Sequence, residues 1–93
     1  MIHSFSCKET EKIWNGTVSK TFSHSIQQTA RRKLLHIHSA VSINDLRVPP
    51  GNKLEKLSGN LQAFHSIRIN DQWRIIFKWH GFTATEVEII DYH

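Results

Sequence analysis

Residues 67–79 read IRINDQWRIIFKW, two β-rich segments around the polar turn Asn70-Asp71-Gln72, interrupted by Arg68 and Arg74. How the two segments pair decides which residues form the core. A two-residue loop would put Arg68 on the face of Trp73, Ile75 and Phe77, and Arg74 on the face of Ile67 and Ile69, so each face would bury a charge. A three-residue loop over 70–72 instead gathers Ile67, Ile69, Trp73, Ile75, Phe77 and Trp79 on one side. Ser66, Arg68, Arg74, Ile76 and Lys78 then share the other. Unpaired charge in an interior is costly, so the sequence predicts the three-residue register. The second face carries a line of cations, which reads either as the wet side of a two-layer fold or as a binding surface.

Working outward, His80-Gly81 separates this pair from a further strand over Thr83 to Tyr92, and the first segment of the pair begins at Phe64. Upstream, Lys53 to Leu57 is a short strand and Ser58-Gly59-Asn60 a turn, which makes an antiparallel meander. Pro49-Pro50-Gly51-Asn52 closes the preceding region, with Pro50 and Gly51 suited to the centre of a type II turn. Before it the period is helical: Ile26, Ala30, Leu34, Ile37 and Val41 form one apolar stripe behind Ser23 as N-cap. Lys8 to Asn15 predicts a brief first helix stopped by Gly16, and Met1 to Ser6 alternates as an edge strand would. The expected class is α+β, N-terminal helices packed on an antiparallel sheet.

A chain of 93 residues fits one domain spanning residues 1–93, and it buries only about 60–65% of its unfolded surface. Apolar residues at 39% against charged residues at 22% support a folded core rather than disorder. Apolar runs are too short for a membrane span or a secretory segment, so a cytoplasmic protein without membrane contact is expected. A lone Cys7 excludes an internal disulfide and a thiolate metal site, and reads as a partly buried small residue.

The net charge of +4 is compatible with a polyanionic partner without establishing one. Between Arg47 and Lys78 there are six basic residues (Arg47, Lys53, Lys56, Arg68, Arg74, Lys78) against two acidic ones, Glu55 and Asp71. Arg31, Arg32 and Lys33 are successive helical residues about 100° apart and read as a solvated face. His36 and His38 point to different sides of the helix and are poorly spaced for a metal, so neither metal nor cofactor is expected. His65 falls on the core parity of its strand, where a hydrogen-bonded structural role is expected, and Trp73 and Trp79 read as core.

VPPGNKLEKLSGN (residues 48–60), HSIRINDQWRIIFKW (residues 65–79) and the terminal EVEIIDYH (residues 86–93) together resemble the HigB toxins, a branch of the RelE-like superfamily of bacterial toxin–antitoxin systems. The resemblance spans nearly the whole chain. It implies the RelE-like toxin fold and cleavage of messenger RNA, usually on the translating ribosome. It also implies neutralisation by a helix-turn-helix antitoxin of HigA type, with operator DNA bound only through the antitoxin complex.

Carried over residue by residue, the resemblance makes Arg74 the ligand of the scissile phosphate and places Asp91, Tyr92 and His93 at the site, with His93 in proton transfer and Tyr92 on a base or the ribose. Lys53, Lys56 and Arg68 would hold the RNA backbone, and Glu55 is an alternative base. Ser58 and Leu61 stand where relatives commonly carry basic residues, which implies a weaker toxin or, as the alternative, a module that binds antitoxin and nucleic acid without cleaving.

Overall fold

The computed structural model describes residues 1–91. Helix α1 (Lys8–Trp14) and helix α2 (His24–Ser39) lead through 3-10 turns at Ile43–Arg47 and Pro50–Asn52 to strand β1 (Glu55–Lys56). After a third 3-10 turn at Gly59–Leu61 come β2 (Phe64–Arg68), β3 (Trp73–His80) and β4 (Thr83–Asp91). The four strands form one antiparallel sheet in sequence order. No helix among the described residues is long and apolar enough to cross a membrane.

The register is that of the three-residue loop: Ile67 pairs with Ile75, Arg68 with Arg74, and the Ile69 amide donates to the Trp73 carbonyl at 2.9 Å. Asn70 builds the turn, its Oδ1 accepting from the amides of Gln72 (2.9 Å) and Trp73 (2.8 Å). Side chains alternate across the sheet, so Ile67, Ile75 and Phe77 all face α2 and are fully buried. They join Ile26, Ala30, Leu34 and Ile37 from the helix in a single core. Trp73 and Trp79 pack against that core as expected, Trp73 edge-to-face on Phe22 at 5.3 Å.

Helix α1 ends as the sequence predicts: Gly16 sits at φ +82°, and the Thr17 amide donates back to the Lys12 carbonyl at 2.8 Å. Cys7, half-buried, is its N-cap residue. Ser23 is the N-cap residue of α2 with extended backbone, although its side chain makes no capping bond.

Several local expectations are corrected. Helix α2 stops at Ser39, because Ala40 is extended, and Val41 lies outside the stripe and is exposed. Pro50 and Gly51 open a 3-10 turn rather than a type II turn. The strand expected over Lys53 to Leu57 is cut to Glu55–Lys56, since Lys53 adopts the left-handed conformation (φ 46°, ψ 54°), which costs a residue with a side chain about 1–2 kcal/mol. Met1 to Ser6 is not a full edge strand but a strap with two parallel bridges to β4, Ile2 to Ala84 and Phe5 to Val87.

Within the Arg31-Arg32-Lys33 run, both arginines are exposed as expected, whereas Lys33 is half-buried and donates to Oδ1 of the fully buried Asn52. Burial, with the neighbouring Arg32 adding to it, holds the Lys33 amine below its ordinary pKa. The two histidines of α2 go to separate partners: His38 Nδ1 accepts from the Ile2 amide at 3.1 Å, and His36 Nδ1 lies 3.4 Å from Asn52 Nδ2.

Candidate nucleic-acid interface

The face of the sheet turned away from α2 carries Arg68 on β2 and Arg74 on β3, directly opposite one another. Like charges so placed repel. Arg68 turns toward the hairpin and pairs with Asp71. Arg74 turns the other way, along the face toward β1, and only 7% of it is exposed.

A guanidinium so deeply buried needs acceptors to replace its water. Arg74 Nε donates to Ser66 Oγ at 2.9 Å, and Nη2 donates to the Lys53 carbonyl at 2.6 Å and, at 3.4 Å, to the Ser66 carbonyl. The Glu55 carboxylate lies 3.4 Å from Nη2 and supplies a countercharge, itself about half exposed. Ser66 and Glu55 are opposite each other across β2 and β1, so strand pairing alone places both on the arginine's face. The cation is therefore fixed in position with an open-sided carboxylate beside it.

The other expected site residues are distributed unevenly. Lys53 meets Arg74 through its backbone carbonyl, while its side chain is exposed. Lys56 pairs with His65, which puts it on the opposite parity from Arg74, at the sheet edge. Asp91 pairs with Trp73 and accepts from Gln72 Nε2 at 3.1 Å, one residue beyond Ile90, the partner of Arg74. Tyr92 and His93 lie outside the described residues. Ser58 is the N-cap residue of the third 3-10 turn and the half-buried Leu61 its last residue, upstream of β2.

Sequence reasoning missed Ser66 as a partner of Arg74. Its signal was parity: Ser66 lies two residues before Arg68, on the same face, and its short hydroxyl side chain can accept from a neighbouring guanidinium. At the far end of this face, Lys78 pairs with Glu86 at 2.7 Å and stands over the Phe64 ring, 5.4 Å from its centroid. His65 sits on the core parity as expected, stacked on Phe77 at 6.2 Å. The hydrogen bond expected for it is not made at Nδ1, which is buried without a partner among the described residues. Burial, then the nearby Lys56 charge, holds the imidazole below its ordinary pKa.

Two helices against a four-stranded antiparallel sheet is the fold of the RelE-like toxins. YoeB from Staphylococcus aureus, solved in heterotetrameric complex with YefM, superposes with a TM-score of 0.64 at 22% identity, covering 100% of this chain and 95% of that one. YafQ from E. coli superposes with a TM-score of 0.62 at 12% identity, covering 98% and 91%.

At the level of sequence, the family of RelE-like toxins of the type II toxin–antitoxin system HigB matches residues 3–93, and the chain belongs to that family. Toxin HigB-1 of Vibrio cholerae is 49% identical over 55 residues, 59% of this chain and 58% of that protein. An uncharacterized protein of Haemophilus influenzae is 38% identical over 66 residues, 71% of this chain and 65% of that protein. The aligned stretches thus span about three-fifths of the length of these relatives.

Proposed function

We propose that this toxin is a metal-independent endoribonuclease that cuts messenger RNA, on the ribosome in the cytoplasm, and so stops translation. The observation that carries this reading is Arg74, a cation held by Ser66, the Lys53 carbonyl and Glu55 on the sheet face opposite the helices. A fixed cation aimed at a phosphate contributes about 10²–10³ in rate because nothing must reorganise as charge develops. In the proposed reaction the 2′-oxygen attacks phosphorus as its proton passes to a base. The bond to the 5′-oxygen then breaks as that oxygen takes a proton.

Arg74 holds the phosphate oxygens and cannot be the base, since a guanidinium keeps its proton. Glu55 beside it is suited to accept the 2′-proton, and His93 to deliver the other; a positioned acid or base is worth about 10²–10⁴. Arg68, Lys53 and Lys56 position the backbone, with Asp91 and Tyr92 at the ribose or base. The YoeB relative is solved with YefM, which supports an antitoxin partner here too, of helix-turn-helix HigA type. Operator DNA would be met only through that complex.

The test is induced expression of the wild type, Arg74→Ala and a truncation lacking His93, with growth scored and mRNA ends mapped. The wild type should arrest growth and produce discrete cuts, and both variants should do neither. Folded variants that stay equally toxic and leave the same cuts would sink this active site. A second reading, binding without cleavage, is favoured by the deep burial of Arg74 among its acceptors. It predicts harmless expression of the wild type and intact complex formation.

A further inference from the structure

The Pro50–Asn52 turn connects the two faces of the sheet. Asn52 is fully buried on the helical side: its Oδ1 accepts from Lys33, and its Nδ2 donates to the Leu46 carbonyl at 3.1 Å and lies 3.4 Å from His36 Nδ1. Its own amide donates to the Pro49 carbonyl at 2.9 Å. The next residue, Lys53, is the left-handed one, and its amide closes the turn on the Pro50 carbonyl at 3.1 Å. That backbone turn delivers the Lys53 carbonyl to Arg74 Nη2, on the other side of the sheet.

We propose that Asn52 is a positioning residue for Arg74: anchored to α2 through Lys33 and His36, it fixes the Lys53 carbonyl that aims the guanidinium. Three observations carry this. Asn52 is a fully buried amide whose oxygen and nitrogen both have partners, an arrangement with little tolerance for displacement. A left-handed Lys53 is held only while its surroundings over-determine it, and Asn52 is the residue covalently before it. The carbonyl contact at 2.6 Å is the shortest of those given above for Arg74, so a shift of Lys53 reaches the cation first.

The inference rests on the proposed role of Arg74, and its measurement is chosen to stand apart from cleavage. In the full 93-residue chain labelled with nitrogen-15, the Arg74 Nε–H signal, identified by its loss in Arg74→Lys, reports directly on the bond to Ser66. Asn52→Ala should accelerate hydrogen exchange of that proton about tenfold or more and leave Arg68 Nε–H unchanged. Lys33→Met, a milder change at a half-buried site, should act in the same direction by about threefold. Single-turnover cleavage at saturating RNA should fall with the exchange protection, while the Kd for a 2′-deoxy-blocked oligonucleotide stays within about threefold.

In a double-mutant cycle, Asn52→Ala and Arg74→Lys should be strongly non-additive in rate. Unchanged exchange at Arg74 in both single variants, or additivity in the cycle, overturns the proposal. A wild type that binds but never cleaves would overturn the nuclease reading, and the exchange measurement would still decide the positioning role.

Discussion

Arg68 and Arg74 are Cα partners across β2 and β3, yet their guanidiniums leave in opposite directions, one to Asp71 in the hairpin and the other to Ser66, Lys53 and Glu55 toward the first strand. The divergence relieves like-charge repulsion and separates two kinds of cation. Arg68 is held by a single, exposed carboxylate, whereas Arg74 is held by a buried set of acceptors.

The Arg68–Asp71 pair involves a fully exposed carboxylate, so it adds little to stability. Asp71→Ala should change unfolding free energy by less than about 0.5 kcal/mol. By releasing Arg68 it should also tighten binding of single-stranded RNA modestly, with a steeper salt dependence. Denaturant titration and binding at two ionic strengths measure both, and weaker binding would count against Arg68 as an RNA contact.

Ser66→Ala leaves a buried, charged Nε–H without its hydroxyl acceptor and should cost about 1–3 kcal/mol in urea unfolding. Glu55→Gln keeps the shape and removes the countercharge. If Glu55 is the base, it should lower the proposed cleavage by about 10²–10⁴ with RNA affinity retained or improved. A Glu55→Gln protein that cuts at the wild-type rate assigns the base elsewhere.

Leu34 is fully buried at the centre of the α2 stripe, so Leu34→Ala should cost about 2–5 kcal/mol through lost burial and a residual cavity. In a domain this small that is a large share of the total, and toxicity should be lost through reduced folded protein. Thermal melting and soluble yield report it. A variant of unchanged stability would mean that the helix does not seal the core.

His65 gives stability a defined pH dependence. Its folded pKa lies below the ordinary 6.5, so the unfolded chain binds the extra proton first, and stability falls as pH drops from 6.5 toward the folded value. His65→Phe, which keeps a ring against Phe77, should flatten that slope. The depressed carboxylate of Glu9 acts in a separate window, losing its contribution only as pH falls below 4.5 toward its lowered pKa. Equal slopes in wild type and His65→Phe near pH 6 would refute the assignment.

The register was legible because a one-residue slip would have buried an arginine on each face, a penalty visible in the order of residues 67–79. The α2 stripe was legible for the same reason: burial imposes a period. What the sequence did not reveal was the depth of the outer face. Arg74 was expected on an open face, either a wet side or a binding surface, and is instead buried there among Ser66, Lys53 and Glu55. No periodicity signals a left-handed lysine or a two-residue strand, since both depend on where the turn before them is anchored. Lys33 was hidden likewise, read as part of a charged run although its partner, Asn52, lies 19 residues on.

The strap over Met1 to Ser6 also determines how the sheet can meet another chain. Along the outer side of β4, Ala84 and Val87 exchange backbone hydrogen bonds with Met1, His3, Ser4 and Ser6, the Glu86 amide donates to Ser4 Oγ, and the Ile89 amide donates to Thr10 Oγ1. The opposite border, β1, is two residues long. Among the described residues, one margin is thus covered by the strap and α1 over Ala84 to Ile89 and the other is short, which disfavours extension by a visiting strand and leaves recognition of a partner chiefly to side chains on the faces and the helices.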